Sequence, residues 1–145
     1  MSDPGELLST TAVTAFRLNG QFMAVAEGLA RPAGLTASWW QVLGAVLKQP
    51  LPVAGIAREM GMTRQGVQRI ADLLVEKELA EYLPNPAHRR AKLLRPTPEG
   101  LAAVSRIDPG HQELAERLAA ELGEAEWSAA LQALTRLSAA LDAIS

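Results

Sequence analysis

Between Val53 and Asp72 the chain places a small residue, a glycine and two branched apolar residues at offsets that leave few folds open. Ala57 falls where two helices must cross closely, and a larger side chain there would hold them apart. Gly61 falls in the turn, where positive φ is usually needed. Val67 and Ile70 fall where the second helix packs on the first, with Ile56 and Met60 filling the interior. The pattern predicts a helix-turn-helix: a short amphipathic helix from Val53 to Gly61, then a longer one after Thr63 to about Lys77. Other helical hairpins share part of this set, so the flanking segments must decide.

Upstream, residues 6 to 30 carry Leu7, Leu8, Val13, Phe16, Leu18, Phe22, Val25, Ala26 and Leu29 without an internal proline, which predicts one long helix with more than one apolar face. Arg31-Pro32-Ala33-Gly34 ends it. Thr36 caps a second helix that carries Trp39, Trp40, Val42, Leu43, Val46 and Leu47, and Gln49-Pro50-Leu51-Pro52 breaks it. Downstream, Ala80 to Leu83 and Ala91 to Arg95 have strand character and flank Pro84-Asn85-Pro86-Ala87-His88-Arg89-Arg90, a polar hairpin tip. Thr97, Pro98 and Glu99 restart a helix as cap, first helical position and first-turn acid. The rest is helical in pattern, with expected interruptions near Asp108-Pro109-Gly110 and Gly123. Leu131, Leu134, Leu137 or Ser138, Leu141 and Ile144 form a stripe at spacings of three and four.

The 145 residues suffice for one domain, and 48% hydrophobic against 4% aromatic residues suits packed helices better than strands. No apolar run reaches the roughly 18 residues a membrane span needs, and Met1 to Glu6 lack the basic flank of a signal peptide, so a soluble cytoplasmic protein without membrane contact is expected. Absence of cysteine excludes disulfides, thiolate zinc sites and thiol redox switches. The two histidines, His88 and His111, lie far apart, and no metal or other cofactor is expected. Nor is an enzyme: the sequence has no phosphate-binding glycine loop, no plausible Ser/His/Asp set and no thiol nucleophile.

A net charge of −2 argues at first against a nucleic-acid partner, yet residues 58 to 95 carry +3 and the remainder −5. At about 100° per residue, the second helix of the pair turns Val67, Ile70, Ala71 and Leu74 to one side and Arg64, Gln65, Gln68, Arg69 and Asp72 to the other. Arg bonds guanine and Gln bonds adenine bidentately in the major groove, and both reach phosphates. The competing reading, an ordinary solvated face, is usually richer in Glu and Lys. At the hairpin tip His88, Arg89 and Arg90, followed by Lys92, concentrate donors where a wing enters a minor groove or tracks its phosphates. A solvated basic loop is the alternative there.

With these segments in view, the chain resembles the multiple-antibiotic-resistance regulator (MarR) family. The resemblance rests on Leu35-Thr36 with Trp40-Gln41-Val42-Leu43, Ile56-Ala57 to Met62-Thr63-Arg64-Gln65, Pro84 to Lys92, and Pro96-Thr97-Pro98-Glu99-Gly100, in that order and spacing. It covers residues 35 to 100; the outer helices agree in pattern and length. It implies a mainly α (α+β) winged helix-turn-helix of about six helices and a β-hairpin wing. Residues 35–97 would form the DNA-binding lobe, and 1–34 with 98–145 a helical dimerisation region, in one continuous domain. It also implies a homodimeric repressor on a pseudo-palindromic operator in double-stranded DNA, often with a small ligand between lobe and dimer helices. Thr63, Arg64, Gln65, Gln68, Arg69, His88, Arg89, Arg90 and Lys92 are the expected DNA-binding residues.

Three positions depart from the family pattern. His88 stands where the family's wing usually carries an Asp that orients a following arginine. Glu78 stands where a Gly commonly ends the second helix, so a left-handed cap would be strained and a different helix ending is expected. Pro52-Val53 replaces a small hydroxyl residue that often contacts phosphate.

Dimerisation is expected on physical grounds too, because the terminal helices hold more apolar positions than one lobe can cover; packing within one chain competes. Trp39, Trp40 and His111 are candidates to border a pocket for a small aromatic or anionic effector, although such tryptophans are more often core. A protein-binding winged module is the rival function, separable by the steep salt dependence of binding to duplex DNA.

Overall fold

A computed structural model describes residues 3–145. Met1 and Ser2, counted above in the N-terminal helical region, lie outside the described residues. Helix α1 (Pro4–Ala30) starts where the Asp3 carboxylate accepts the Glu6 N–H at 3.2 Å, with Pro4 at a position that needs no donor. A 3₁₀ turn, Arg31–Ala33, ends it. Helix α2 (Ala37–Ala45) is capped twice. The Thr36 hydroxyl accepts the Trp39 N–H at 3.1 Å, and the Glu27 carboxylate, reaching from α1, accepts the Ala37 N–H at 3.0 Å. A charge at the positive end of α2 thus joins two consecutive helices.

The helix-turn-helix forms as the spacing requires. Helix α3 (Val53–Met60) ends at Gly61, whose φ of 64° lets the Met62 N–H reach back to the Ala57 carbonyl at 2.9 Å. Helix α4 (Arg64–Glu76) follows after Thr63. Ile56, Val67, Ala71 and Leu74 are closed off from solvent, Ala57 nearly so, and Ile70 packs against the same core with Val42, Leu43 and Leu94. Full burial of an aliphatic side chain of this size contributes about 1.5–3 kcal/mol, which sets the rotation of α4 about its axis.

The sheet has three strands rather than the two expected. Strand β1 (Leu51–Pro52), β2 (Ala80–Leu83) and β3 (Leu93–Pro96) lie in the order β1-β3-β2, all antiparallel. Leu51 pairs with Leu94 in the central strand. The prolines around Leu51 do break a helix, but Pro52 sits on an edge strand, where a missing N–H is tolerated. The second hairpin strand starts at Leu93, opposite Leu83, so Ala91 and Lys92 belong to the loop instead of to the strand expected from Ala91 to Arg95.

Helix α5 (Pro98–Leu122) runs unbroken through Asp108-Pro109-Gly110, against expectation. Pro109 removes the N–H that would bond the Ser105 carbonyl, but Ser105, Asp108 and Pro109 are all exposed, so water can satisfy the freed oxygen. The expected break at Gly123 is present, at φ 89°, before α6 (Glu124–Ile144). Two compact units meet inside α5: one runs to Ile107 and holds the core, and the other covers Asp108–Ser145.

The end of α4 also differs from expectation. Glu78 itself adopts the left-handed conformation, φ 62°, and is the one non-glycine residue with positive φ among those described. Its N–H bonds the Val75 carbonyl at 3.0 Å, and the Leu79 N–H bonds the Leu74 carbonyl at 2.8 Å. Downstream, the Thr97 hydroxyl donates to the Glu78 carbonyl at 2.7 Å and accepts the Gly100 N–H at 3.1 Å, while the Thr97 N–H reaches the Leu79 carbonyl at 3.1 Å. Net gains of about 0.5–1.5 kcal/mol per hydrogen bond outweigh the roughly 1–2 kcal/mol cost of a left-handed non-glycine residue. One threonine therefore clasps the end of α4 to the start of α5, and Gly100 permits the approach, since a Cβ there would strike the Leu79 carbonyl oxygen.

Two substitutions probe this clasp in opposite directions. Glu78→Gly removes the backbone strain and should raise stability by about 0.5–1 kcal/mol. Gly100→Ala should lower it by about 1–3 kcal/mol. Urea unfolding of both variants checks the signs, and a stabilised Gly100→Ala protein would contradict the clasp.

Candidate nucleic-acid interface

Helix α4 begins on a built cap. The Thr63 hydroxyl accepts the Gly66 N–H at 3.0 Å. That bond uses a lone pair and leaves the hydroxyl hydrogen available to a phosphate. From this start Arg64, Gln65, Gln68, Arg69 and Asp72 all stand exposed on the face opposite the core, as the periodicity predicts.

The wing is the loop from Pro84 to Lys92 between β2 and β3. Asn85 organises its tip: the side-chain oxygen accepts the Ala87 N–H at 3.0 Å, and the backbone oxygen accepts the His88 N–H at 3.2 Å. These bonds shape the tip without the Asp that the family pattern places at His88. His88, Arg89, Arg90 and Lys92 are exposed.

A cleft of about 560 Å³ brings helix and wing together. Arg64, Gln65 and Gln68 from α4 line it with Tyr82 from β2 and with Arg90 and Lys92 from the wing. Thr63 and Arg69 lie along an adjoining groove that shares Gln65 and Gln68. His88 and Arg89 stand farther out on the tip and line neither groove.

Among the described residues the ion pairs are Arg31 with Glu27 and Arg95 with Glu81, so no carboxylate neutralises Arg64, Arg69, Arg89 or Arg90. Arg95, by contrast, is held at 2.9 Å by Glu81, its directly opposite neighbour across the two strands. Its share of the positive charge counted in the sequence is thus compensated.

One residue of the site escapes a reading of the sequence. Tyr82 projects from β2 to Asp72 on α4, and its hydroxyl donates to Asp72 Oδ1 at 2.6 Å. Gln68 Nε2 donates to the same oxygen at 3.0 Å and to the Tyr82 hydroxyl oxygen at 3.1 Å. Partial burial, then the bond to the Asp72 carboxylate, push the Tyr82 hydroxyl up to about 12. It therefore stays a protonated donor throughout the working range. Lys92 Nζ lies 6.0 Å from the centre of the Tyr82 ring, at the outer limit of a cation–π contact. The i,i+4 spacing of Gln68 and Asp72 is a visible signal for a side-chain pair. Nothing local signals Tyr82.

The candidate effector residues are placed differently. Trp39 and Trp40 are half-buried on α2 and pack against the core of the first compact unit, whereas His111 lies on α5 in the second. No group of three or more His, Cys, Asp or Glu residues among those described is arranged to hold a metal ion. No helix among them is long and apolar enough to cross a membrane.

Comparison with known proteins agrees with this architecture. Residues 33–91 match the family model described as MarR family. An uncharacterised protein of Mycobacterium tuberculosis is 38% identical over 88% of this chain and 90% of its own length. Among solved structures, a mutant MarR from E. coli complexed with operator DNA superposes with a TM-score of 0.77 at 21% identity, covering 94% of this chain and 99% of that one. Bordetella bronchiseptica BpsR, whose DNA binding is regulated by 6-hydroxynicotinic acid, does so with a TM-score of 0.76 at 22% identity, covering 89% and 98%. The motif spacing, the three-stranded winged lobe and these matches converge, and the chain belongs to the MarR family.

Proposed function

We propose that this chain is a transcription regulator that grips duplex DNA through α4 and the wing. The observation that carries the reading is the set of arginines without carboxylate partners, Arg64 and Arg69 on α4 with Arg89 and Arg90 on the wing, in a protein whose net charge is −2. Cations concentrated on one lobe against that average attract a polyanion, and a helix with a neighbouring hairpin is the arrangement by which a winged helix-turn-helix meets a groove and its flanking backbone. Thr63, Arg64, Gln65, Gln68 and Arg69 enter the major groove, while His88, Arg89, Arg90 and Lys92 anchor the adjacent minor groove and phosphates. Occupancy of a promoter in the cytoplasm then represses transcription.

The acting unit in this reading is a two-fold homodimer on a pseudo-palindromic operator. Helix α6 buries none of its residues within one chain, and Leu131, Leu134, Leu141 and Ile144 stand exposed, the last by 82%. On α1, Leu7, Leu8, Val13, Phe16 and Phe22 are likewise uncovered. Apolar surface on this scale is stable in water when a second copy covers it, so residues 1–34 and 98–145 supply the dimer contacts and 35–97 the reading lobe. A small aromatic acid is the class of effector that suits the indole faces of Trp39 and Trp40.

Three measurements test these assignments. Changing Arg89 and Arg90 together to Ala should weaken duplex binding and reduce the steepness of log K against log salt by about 1.8 per protomer. An unaltered affinity and slope would remove the wing from the interface. Salt-insensitive binding of the unmodified protein would favour a protein-docking role instead. Sedimentation of the unmodified chain should give a dimer, and Leu134→Asp with Leu141→Asp should shift it toward monomer; a dimer indifferent to both would place the contact elsewhere.

A further inference from the structure

The cationic surface does not stop at Arg64. That residue and Ala54 line two grooves at once. One is the cleft that holds Arg90 and Lys92 of the wing, and the other is a groove of about 410 Å³ between α3 and α4, completed by Ala57, Arg58 and Met62. No wing residue lines the second groove. The first turn of α4 thus borders both, with the wing cations in one and Arg58 in the other. Arg58 is exposed in the last turn of α3, on the same face as Ala54, because residues four apart on a helix lie one above the other. Side chains tilt toward the helix N-terminus, which leans Arg58 back toward the edge that the two grooves share. Among the described residues the ion pairs lie elsewhere, and Glu59, its neighbour in sequence, lines neither groove.

In a helix-turn-helix the first helix crosses the DNA backbone while the second enters the groove. Here α3 begins at Pro52-Val53, with no side-chain cap and no hydroxyl to offer a phosphate. Resting on the DNA-binding reading above, we propose that Arg58 is a further phosphate-binding residue, meeting the backbone that borders the major groove on the side of α4 away from the wing. A guanidinium presents a fork of charged donors suited to phosphate oxygens, so the contact missing at the start of α3 is supplied from its end. Each half-site is then held at both borders of the groove, by Arg89 and Arg90 on the wing side and by Arg58 on the other. Such a contact carries no base information and instead fixes the register and orientation of α4. The competing role is local: a cation in the last turn offsets the negative end of the α3 dipole without touching DNA.

The test uses a duplex that the unmodified protein selects from a randomised pool at low salt, with the Arg58→Ala and Arg58→Lys variants of the intact chain. Arg58→Ala should weaken binding to different duplexes by a similar factor and reduce the steepness of log K against log salt by about 0.9 per protomer, with base preference unchanged. Arg58→Lys keeps the charge and should retain the slope. Ethylation interference then locates the contact, since an alkylated phosphate blocks binding where the protein needs its charge. The unmodified protein should show blocking phosphates on both borders of each major-groove segment. Arg58→Ala should lose those on one border and keep those that the Arg89, Arg90 double variant loses. An interference pattern that Arg58→Ala leaves unchanged, whatever the slope, would overturn the proposal and leave the DNA-binding reading standing. A urea midpoint lowered in that variant beside an unchanged pattern would assign Arg58 to the α3 dipole instead. Failure of the unmodified protein to bind any duplex would overturn both readings.

Discussion

Helix α4 has no freedom to turn about its own axis, because Val67, Ala71 and Leu74 are completely enclosed on one side of it. Everything that this protein offers to a partner from that helix is placed by those three side chains. Rotation by one residue would carry an apolar group into water and Gln68 or Asp72 into the core, where an unpaired polar group costs several times what a single surface contact supplies. The ends of the helix are held as firmly. Thr63 anchors the first turn, and the left-handed Glu78 with its Thr97 clasp fixes the last. The arginines thus stand on a rigid platform.

The wing is positioned by different means. Its root is a ladder of backbone bonds reinforced by the Arg95–Glu81 pair, and its tip is shaped by Asn85. Tyr82 spans the two structures: its backbone belongs to β2, its hydroxyl to the polar ring on α4, and its ring face lies beside Lys92 of the wing. A single side chain consequently couples α4 to the wing. Its hydroxyl, held protonated, keeps one Asp72 oxygen occupied beside the arginines of α4.

Much of this is legible in the sequence wherever the cause is local. Ala57, Gly61 and Val67 announce the helix pair because sterics at a crossing and a tight turn restrict those positions directly. Thr36, Thr63 and Thr97 announce helix starts because a cap lies within three residues of the donor it satisfies. What fails is what depends on distant partners. Leu51-Pro52 reads as a helix breaker until Leu94 arrives beside it. Glu78 reads as too strained for a left-handed cap until Thr97 supplies the compensating bond. Pro109 reads as a break because the pattern cannot tell that its surroundings are open to water. Tyr82 reads as an ordinary strand residue, and only the packing of β2 beside α4 brings it to Asp72.

The central claim is that α4 occupies a major groove, twice per bound dimer. Dimethyl sulfate footprinting of a bound duplex measures this directly, since methylation at guanine N7 reports access to the major-groove edge. The account predicts two protected major-groove segments separated by about one helical turn or a multiple of it. Guanines left equally reactive across a duplex that is demonstrably bound, or protection confined to the minor groove, would contradict it.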